Sequence, residues 1–135
     1  MKVLFVCTGN AFRSPYAEAL LKKLKPDVEV DSAGLNPVLP ISEVARRFLA
    51  RENAEKHLKK SSEGLDMKPL RTYDLIVAMM PRHRDLVIKR CPECVDRTTV
   101  WNIEDPYLMS LERAEKLFNQ IKRKVEALAN SLCAG

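Results

Sequence analysis

Two cysteines in this chain sit five residues ahead of an arginine, and only one of the two settings could do chemistry on an anion. Cys7-Thr-Gly-Asn-Ala-Phe-Arg13 runs from the end of an apolar stretch into Ser14-Pro15. Cys91-Pro-Glu-Cys-Val-Asp-Arg97 has the same spacing. With four cysteines and eleven arginines in 135 residues the spacing alone carries little weight. A loop that wraps an oxyanion needs successive backbone N–H groups turned inward, a glycine or asparagine free to take positive φ, and a helix N-terminus beneath it. Thr8, Gly9, Asn10, Ala11 and Phe12 satisfy all three demands. In the second segment Pro92 lacks an N–H, Glu93 and Asp96 would repel an anion, and the β-branched run after Arg97 predicts a strand.

The first loop predicts a division of labour. Backbone dipoles, the helix start and Arg13 would favour the thiolate of Cys7, making it a nucleophile. The planar fork of Arg13 suits two oxygens of a phosphoryl group. The Ser14 hydroxyl can donate to the sulfur, and it also reads as the cap of the following helix, with Pro15 in the first helical position. A thiolate attacking phosphorus needs a proton donor for the leaving oxygen, and Asp105, held extended by Pro106, is the candidate.

These residues must be positioned by a scaffold. Val3 to Val6 reads as a buried strand, Ser14 to Pro26 as a helix, Val28 to Ser32 as a second strand, and the stretch after Ser42 as a helix with Val44, Ala45, Phe48 and Leu49 inward. Residues 55 to 72 give no clear period, beyond one short helical turn. Asp74 to Met80 is a strand apolar almost throughout, followed by a short helix from Arg82 to Lys89, a fourth strand from Thr98 to Ile103 and an amphipathic helix from Ser110 to Leu132 carrying Leu117, Ile121, Val125 and Leu128. Such alternation predicts an α/β fold with a doubly wound parallel sheet, and ligands in such sheets bind beyond the carboxyl ends of the strands. Cys7 and Asp105 both fall at that edge.

Composition sets the outer limits. A 135-residue chain with 46% hydrophobic residues suits one domain, residues 1 to 135. Its net charge of +5 is scattered, with no basic block of the kind that nucleic-acid binding needs. The apolar runs are too short for a signal peptide or a membrane span, so a cytoplasmic protein without nucleic-acid or membrane partners is expected. Four cysteines without a secretory signal suggest thiols with chemical or packing roles.

Taken together, Val-Leu-Phe-Val-Cys7-Thr-Gly-Asn-Ala-Phe-Arg13-Ser-Pro-Tyr-Ala-Glu18, Val-Asp-Ser32-Ala-Gly34 and Ile-Glu-Asp105-Pro-Tyr107 resemble the low-molecular-weight protein tyrosine phosphatase family. The resemblance implies a flavodoxin-like four-stranded sheet with helices on both faces. It also implies a cysteinyl-phosphate mechanism without metal or cofactor, in which Cys7 attacks and Asp105 protonates the leaving group and then activates water. The partner would be a phosphorylated protein or peptide, with Tyr107 the one obvious ring for stacking a phosphotyrosine. It further implies that Asn10, in a strained conformation, is held by Ser32 and His57.

The chain departs from the family pattern at Phe12, where many members carry a second cysteine, at Ala11, where a larger residue is usual, and at Asn36 to Pro40, a loop that often supplies an aromatic wall. Some relatives act on phosphoarginine, which stays open here. The scaffold is also similar to thioredoxin-coupled arsenate reductases, in which two further cysteines resolve the arsenylated first one. Cys91 and Cys94, as a redox pair served by a thioredoxin-like reductant, could play that part. A third alternative is a module that binds phosphate without turnover. Cys133 has no evident role.

Overall fold

A computed structural model describes residues 1–133 of the chain. The elements follow in the order β1 (Lys2–Cys7), α1 (Arg13–Leu24), β2 (Glu29–Gly34), α2 (Glu43–Arg51), β3 (Leu75–Ala78), α3 (Pro81–Arg90), β4 (Thr98–Val100) and α4 (Leu111–Cys133). The four strands form one parallel sheet in the order β2-β1-β3-β4, with Cys7 opposite Gly34 and Val6 opposite Ala78. The chain steps to one side of β1 first and to the other side next. The crevice at the carboxyl ends of β1 and β3 is therefore the switch point where ligands of such sheets sit. Cys7 is the last residue of β1.

Side chains of β1 alternate between two apolar layers, as the pleat requires. Val3, Phe5 and Cys7 face α1, α2 and α4, whereas Leu4 and Val6 pack with Ile76, Val87, Leu65 and Leu70 on the α3 side. Tyr16 of α1, Phe48 of α2 and Phe118 of α4 meet with ring centroids 4.6 and 5.1 Å apart, which ties the three helices of one layer together. Helix α4 buries Ala114, Phe118, Ile121, Val125 and Ala129, so its inner stripe is centred one residue away from the expected Leu117 and Leu128, which are only partly covered. Among the described residues no helix is long and apolar enough to cross a membrane.

Two local expectations change and one holds. The patternless stretch 55 to 72 holds three short 3-10 turns, Glu55–His57, Leu65–Met67 and Leu70–Thr72. Within the rejected Cys91 to Arg97 segment, Pro92–Arg97 is a 3-10 turn, and it leads into β4, the strand expected after Arg97. Strand β4 stops at Val100 rather than Ile103 because Asn102 takes a left-handed φ of 58°; the N–H groups of Trp101 and Ile103 still donate to the carbonyls of Ala78 and Met79.

Candidate active site

Helix α1 begins at Arg13, one residue before the predicted cap, and Phe12 in the cap position offers its first turn no side-chain acceptor. Ser14 is engaged elsewhere: its Oγ lies 2.9 Å from Cys7 Sγ and accepts an N–H from Asn10 Nδ2 at 2.9 Å. Its own proton is thereby left for the sulfur. The Asn10 backbone N–H also points at Cys7 Sγ, 3.3 Å away. Asn10, not Gly9, takes the positive φ the loop needs, at 52°. The loop rests on β2 backbone to backbone. A Cβ at Gly34 would stand 2.6 Å from Asn10 N and 2.8 Å from Thr8 O, which only glycine avoids.

Asn10 is completely buried, and all four of its side-chain hydrogen-bonding positions are filled. Nδ2 donates to Ser14 Oγ and to Ser32 Oγ, both at 2.9 Å, while Oδ1 accepts from Lys59 Nζ and from the Glu63 N–H, both at 2.8 Å. Two donors on one side and two acceptors on the other leave the amide a single orientation. Ser32 in turn donates to Glu18 Oε1 at 2.5 Å. The anchor expected from the resemblance, His57, does not reach this network; it stands in a separate hollow beside Lys22 and Asp31. Lys59 takes that place. Its Nζ also reaches Ser32 O at 2.9 Å and Glu63 Oε1 at 2.6 Å, and an ammonium with three donors serves more oxygens than an imidazole could. Burial alone would raise the Glu63 pKa, but its bonds to Lys59 and Lys68 prevail and hold the carboxyl below its ordinary value.

Arg13 is buried as well. Nη1 donates to Ile103 O at 2.7 Å, and Nη2 to Thr8 Oγ1 at 3.2 Å, with Asp105 Oδ2 3.7 Å from Nη2. Burial lowers the Arg13 pKa from its ordinary value, opposed by the charges of Cys7 and Asp105, but a guanidinium stays charged in any protein. Thr8 Oγ1 also receives Arg82 Nη2 at 2.9 Å and meets His83 Nε2 at 2.9 Å. The Met80 N–H donates to His83 Nδ1 at 3.0 Å, so the proton of the neutral ring sits on Nε2. Burial, aided by Arg13 and Arg82, pushes the His83 pKa down to about 3. Neither Lys59 nor His83 carries a local sequence signal; both are reached across more than forty residues of chain.

Cys7, Thr8, Gly9, Ala11, Phe12, Arg13, Asp105 and Tyr107 line one cavity of about 130 Å³, together with Asn36, Val38 and Leu39. Tyr107 is not alone as an aromatic wall: the Phe12 ring stands edge-on to it with centroids 6.3 Å apart. A larger hollow of about 510 Å³ lies beside Cys91, but its cations are occupied, Lys68 by Asp31 and Glu63, Arg71 by Glu93 and Arg90 by Asp66. The small cavity combines a thiol, a guanidinium, the Asn10 N–H aimed at the sulfur and a half-exposed carboxyl. That combination can hold a tetrahedral oxyanion, attack it with sulfur and pass a proton to a departing group.

Cys91 and Cys94 are joined by a disulfide. They follow the end of α3, whose ten residues span about 15 Å from the Cys7 edge of the sheet to the opposite one. The three-cysteine relay of an arsenate reductase is therefore not assembled. Among the described residues no group of three or more His, Cys, Asp and Glu could hold a metal ion. The side chain of Cys133 lies outside the described residues.

A family model described as low molecular weight phosphotyrosine protein phosphatase matches residues 2–134. Among known proteins, the chain is similar to the low molecular weight protein-tyrosine-phosphatase Etp of Escherichia coli (strain K12), with 33% identity over 96% of this chain and 93% of that one. It is similar as well to the protein-arginine-phosphatase of Geobacillus stearothermophilus, with 31% identity over 97% and 95%. Of solved structures, the low molecular weight protein tyrosine phosphatase from T. tengcongensis superposes with a TM-score of 0.87 at 30% identity, covering 97% of this chain and 99% of that one.

Proposed function

Because the chain belongs to the low molecular weight phosphotyrosine protein phosphatase family, we propose that it hydrolyses phosphomonoesters on proteins, phosphotyrosine above all, through a phosphocysteine. The observation that carries this reading is that Cys7, Arg13 and Asp105 face the same small cavity.

The thiolate of Cys7 attacks phosphorus, and the bond to the leaving oxygen breaks with its electron pair passing to that oxygen. Protonated Asp105 gives the oxygen its proton. Arg13 and the amides of Thr8 to Phe12 hold the three equatorial oxygens as charge shifts among them. In the second half, water attacks phosphorus and gives a proton to Asp105. The S–P bond breaks, and sulfur departs as a thiolate that the Ser14 hydroxyl and the Asn10 N–H receive. The cycle is redox-neutral, so neither the Cys91–Cys94 pair nor a thioredoxin-like reductant has a part in it.

Phe12 and Tyr107 support an aryl substrate, since two rings can flank a phenyl phosphate where an aliphatic ester would leave them uncovered. A thiol nucleophile that must stay reduced fits the cytoplasm. The test compares aryl phosphate hydrolysis by wild type, Cys7→Ser and Asp105→Asn, with phosphotyrosine, phosphoserine and phosphoarginine peptides as competitors. Cys7→Ser is expected to be inactive, and Asp105→Asn slower by roughly 10² to 10⁴. Substantial turnover by Cys7→Ser refutes the mechanism. Competition by phosphoarginine alone refutes the substrate.

A further inference from the structure

Arg82 is the second residue of α3, and α3 starts at the sheet edge where the Cys7 loop lies. Its side chain is exposed, and its Nη2 donates to Thr8 Oγ1, on the wall of the catalytic cavity. Arg46, Arg51, Arg71, Arg84 and Arg90 each have a carboxylate partner, whereas no carboxylate among the described residues lies within ion-pair distance of Arg82. A cation without a carboxylate partner, one hydrogen bond from a residue that lines an anion site, is chemically unspent.

Its hydrogen bond to Thr8 is also crowded. Thr8 Oγ1 has two lone pairs, yet three N–H donors converge on it: Arg13 Nη2, Arg82 Nη2 and, with its proton on Nε2, His83. One donor is surplus. Arg13 and His83 are buried and held by second bonds, to Ile103 O and to the Met80 N–H. Arg82 is the member of the trio on an exposed side chain without such an anchor, and its charge opposes that of Arg13. It is the donor that can be released.

Resting on the phosphatase reading above, we propose that Arg82 determines specificity by pairing with the carboxylate of an aspartate or glutamate flanking the phosphorylated residue of a protein substrate. The loop amides and Arg13 take the phosphoryl group. Adjacent residues of an extended peptide lie about 3.8 Å apart at Cα, within the sweep of an arginine pivoting from the cavity wall. A planar fork suits a carboxylate bidentately.

The experiment measures kcat/KM on two phosphotyrosine peptides that differ only in flanking Glu or Gln, using wild type, Arg82→Gln, Arg82→Lys and Arg82→Glu. Wild type is expected to favour the Glu peptide roughly five- to tenfold, the range of one charge-assisted bond at a solvent edge. Arg82→Gln should bring the ratio to about one, Arg82→Glu should invert it, and Arg82→Lys should keep part of it. In 0.5 M salt the wild-type preference should shrink. Each ratio is internal to one protein preparation, so a partly unfolded variant does not distort it. A wild-type ratio near one, or a ratio unchanged in Arg82→Gln, overturns the proposal. So does an equal loss on both peptides, which would mean that Arg82 serves the phosphoryl group itself. Cys7-dependent hydrolysis of an aryl phosphate, run alongside, shows whether the phosphatase reading stands when the specificity proposal falls. Its absence removes both.

Discussion

Replacing Lys59 by methionine keeps the buried aliphatic stem and removes the charge that fixes Asn10. The Lys59 ammonium bonds Asn10 Oδ1, Ser32 O and Glu63 Oε1, and its side chain is only 8% exposed. Glu63 is 43% exposed and can rehydrate. The uncompensated losses are then the buried Ser32 carbonyl and one lone pair of Asn10 Oδ1, which together cost about 2 to 3 kcal/mol. For a chain of this size that lowers Tm by roughly 6 to 12 °C. Catalysis suffers through a different route. Lys59 polarises the Asn10 amide, which donates to Ser14, which donates to Cys7, so the lysine charge reaches the sulfur through three consecutive hydrogen bonds. A freed amide weakens that donation, and we expect kcat for an aryl phosphate to fall about tenfold, equivalent to about 1.4 kcal/mol, with KM changed less. Alkylation of Cys7 by iodoacetamide at neutral pH should slow in step, a readout that simple destabilisation would not move below Tm. Asn10→Ala should impair kcat as well, and the double variant should be no worse than the poorer single one. Wild-type kcat and alkylation rate in Lys59→Met, alongside a damaged Asn10→Ala, would show that the lysine is not what holds the loop.

Two further outcomes follow from groups outside the reacting set. His83, with its pKa pushed down to about 3, is neutral in the folded protein across the working range, whereas the unfolded chain protonates it below about pH 6.5. The unfolded state therefore binds the extra proton between these values, and stability should fall by about 1.4 kcal/mol per pH unit from pH 6.5 towards 3. Urea unfolding at pH 4.5 to 7 should show a shallower slope for His83→Gln; an equal slope would contradict the assignment. The Cys91–Cys94 link closes a four-residue loop, for which the chain-entropy relation gives about 2 kcal/mol. Cys91→Ser is expected to lose about that much stability and to keep aryl phosphate kcat/KM within about twofold, whereas a large loss of activity would contradict its placement at the far edge.

The parallel α/β sheet was legible because β1 and β3 are short apolar runs between helices with apolar stripes, and the period of each is a local property. The Cys7 to Arg13 segment was legible for the same reason, since loop, turn residue and helix start are contiguous. Asp105 could be placed beside them only by knowing on which edge β4 ends. What remained hidden depends on contacts between distant segments. Lys59 lies in a stretch without period, and its task is set by the Asn10 oxygen, 49 residues away. His83 falls in a segment read only as a short helix, with no role assigned to it, yet it is completely buried and meets Thr8. Ser14 was legible as a donor to the Cys7 sulfur, whereas its second reading, as the helix cap, fails because the sulfur and the Asn10 amide occupy the hydroxyl. His57 was favoured by the family pattern, and a longer cation two positions on occupies its place.

At Gly34 the floor under the anion cradle is bare main chain, without a side chain that could be exchanged to widen, narrow or tilt it. The seating of the cradle on β2 is thus set by main chain alone. A lineage built on this scaffold can acquire new clients by altering the side chains around that floor, at Ala11 and Phe12 as well as at Val38, Leu39, Arg82 and Tyr107. Diversity in what such proteins dephosphorylate should accumulate in those outer residues, while the chemistry underneath stays unchanged.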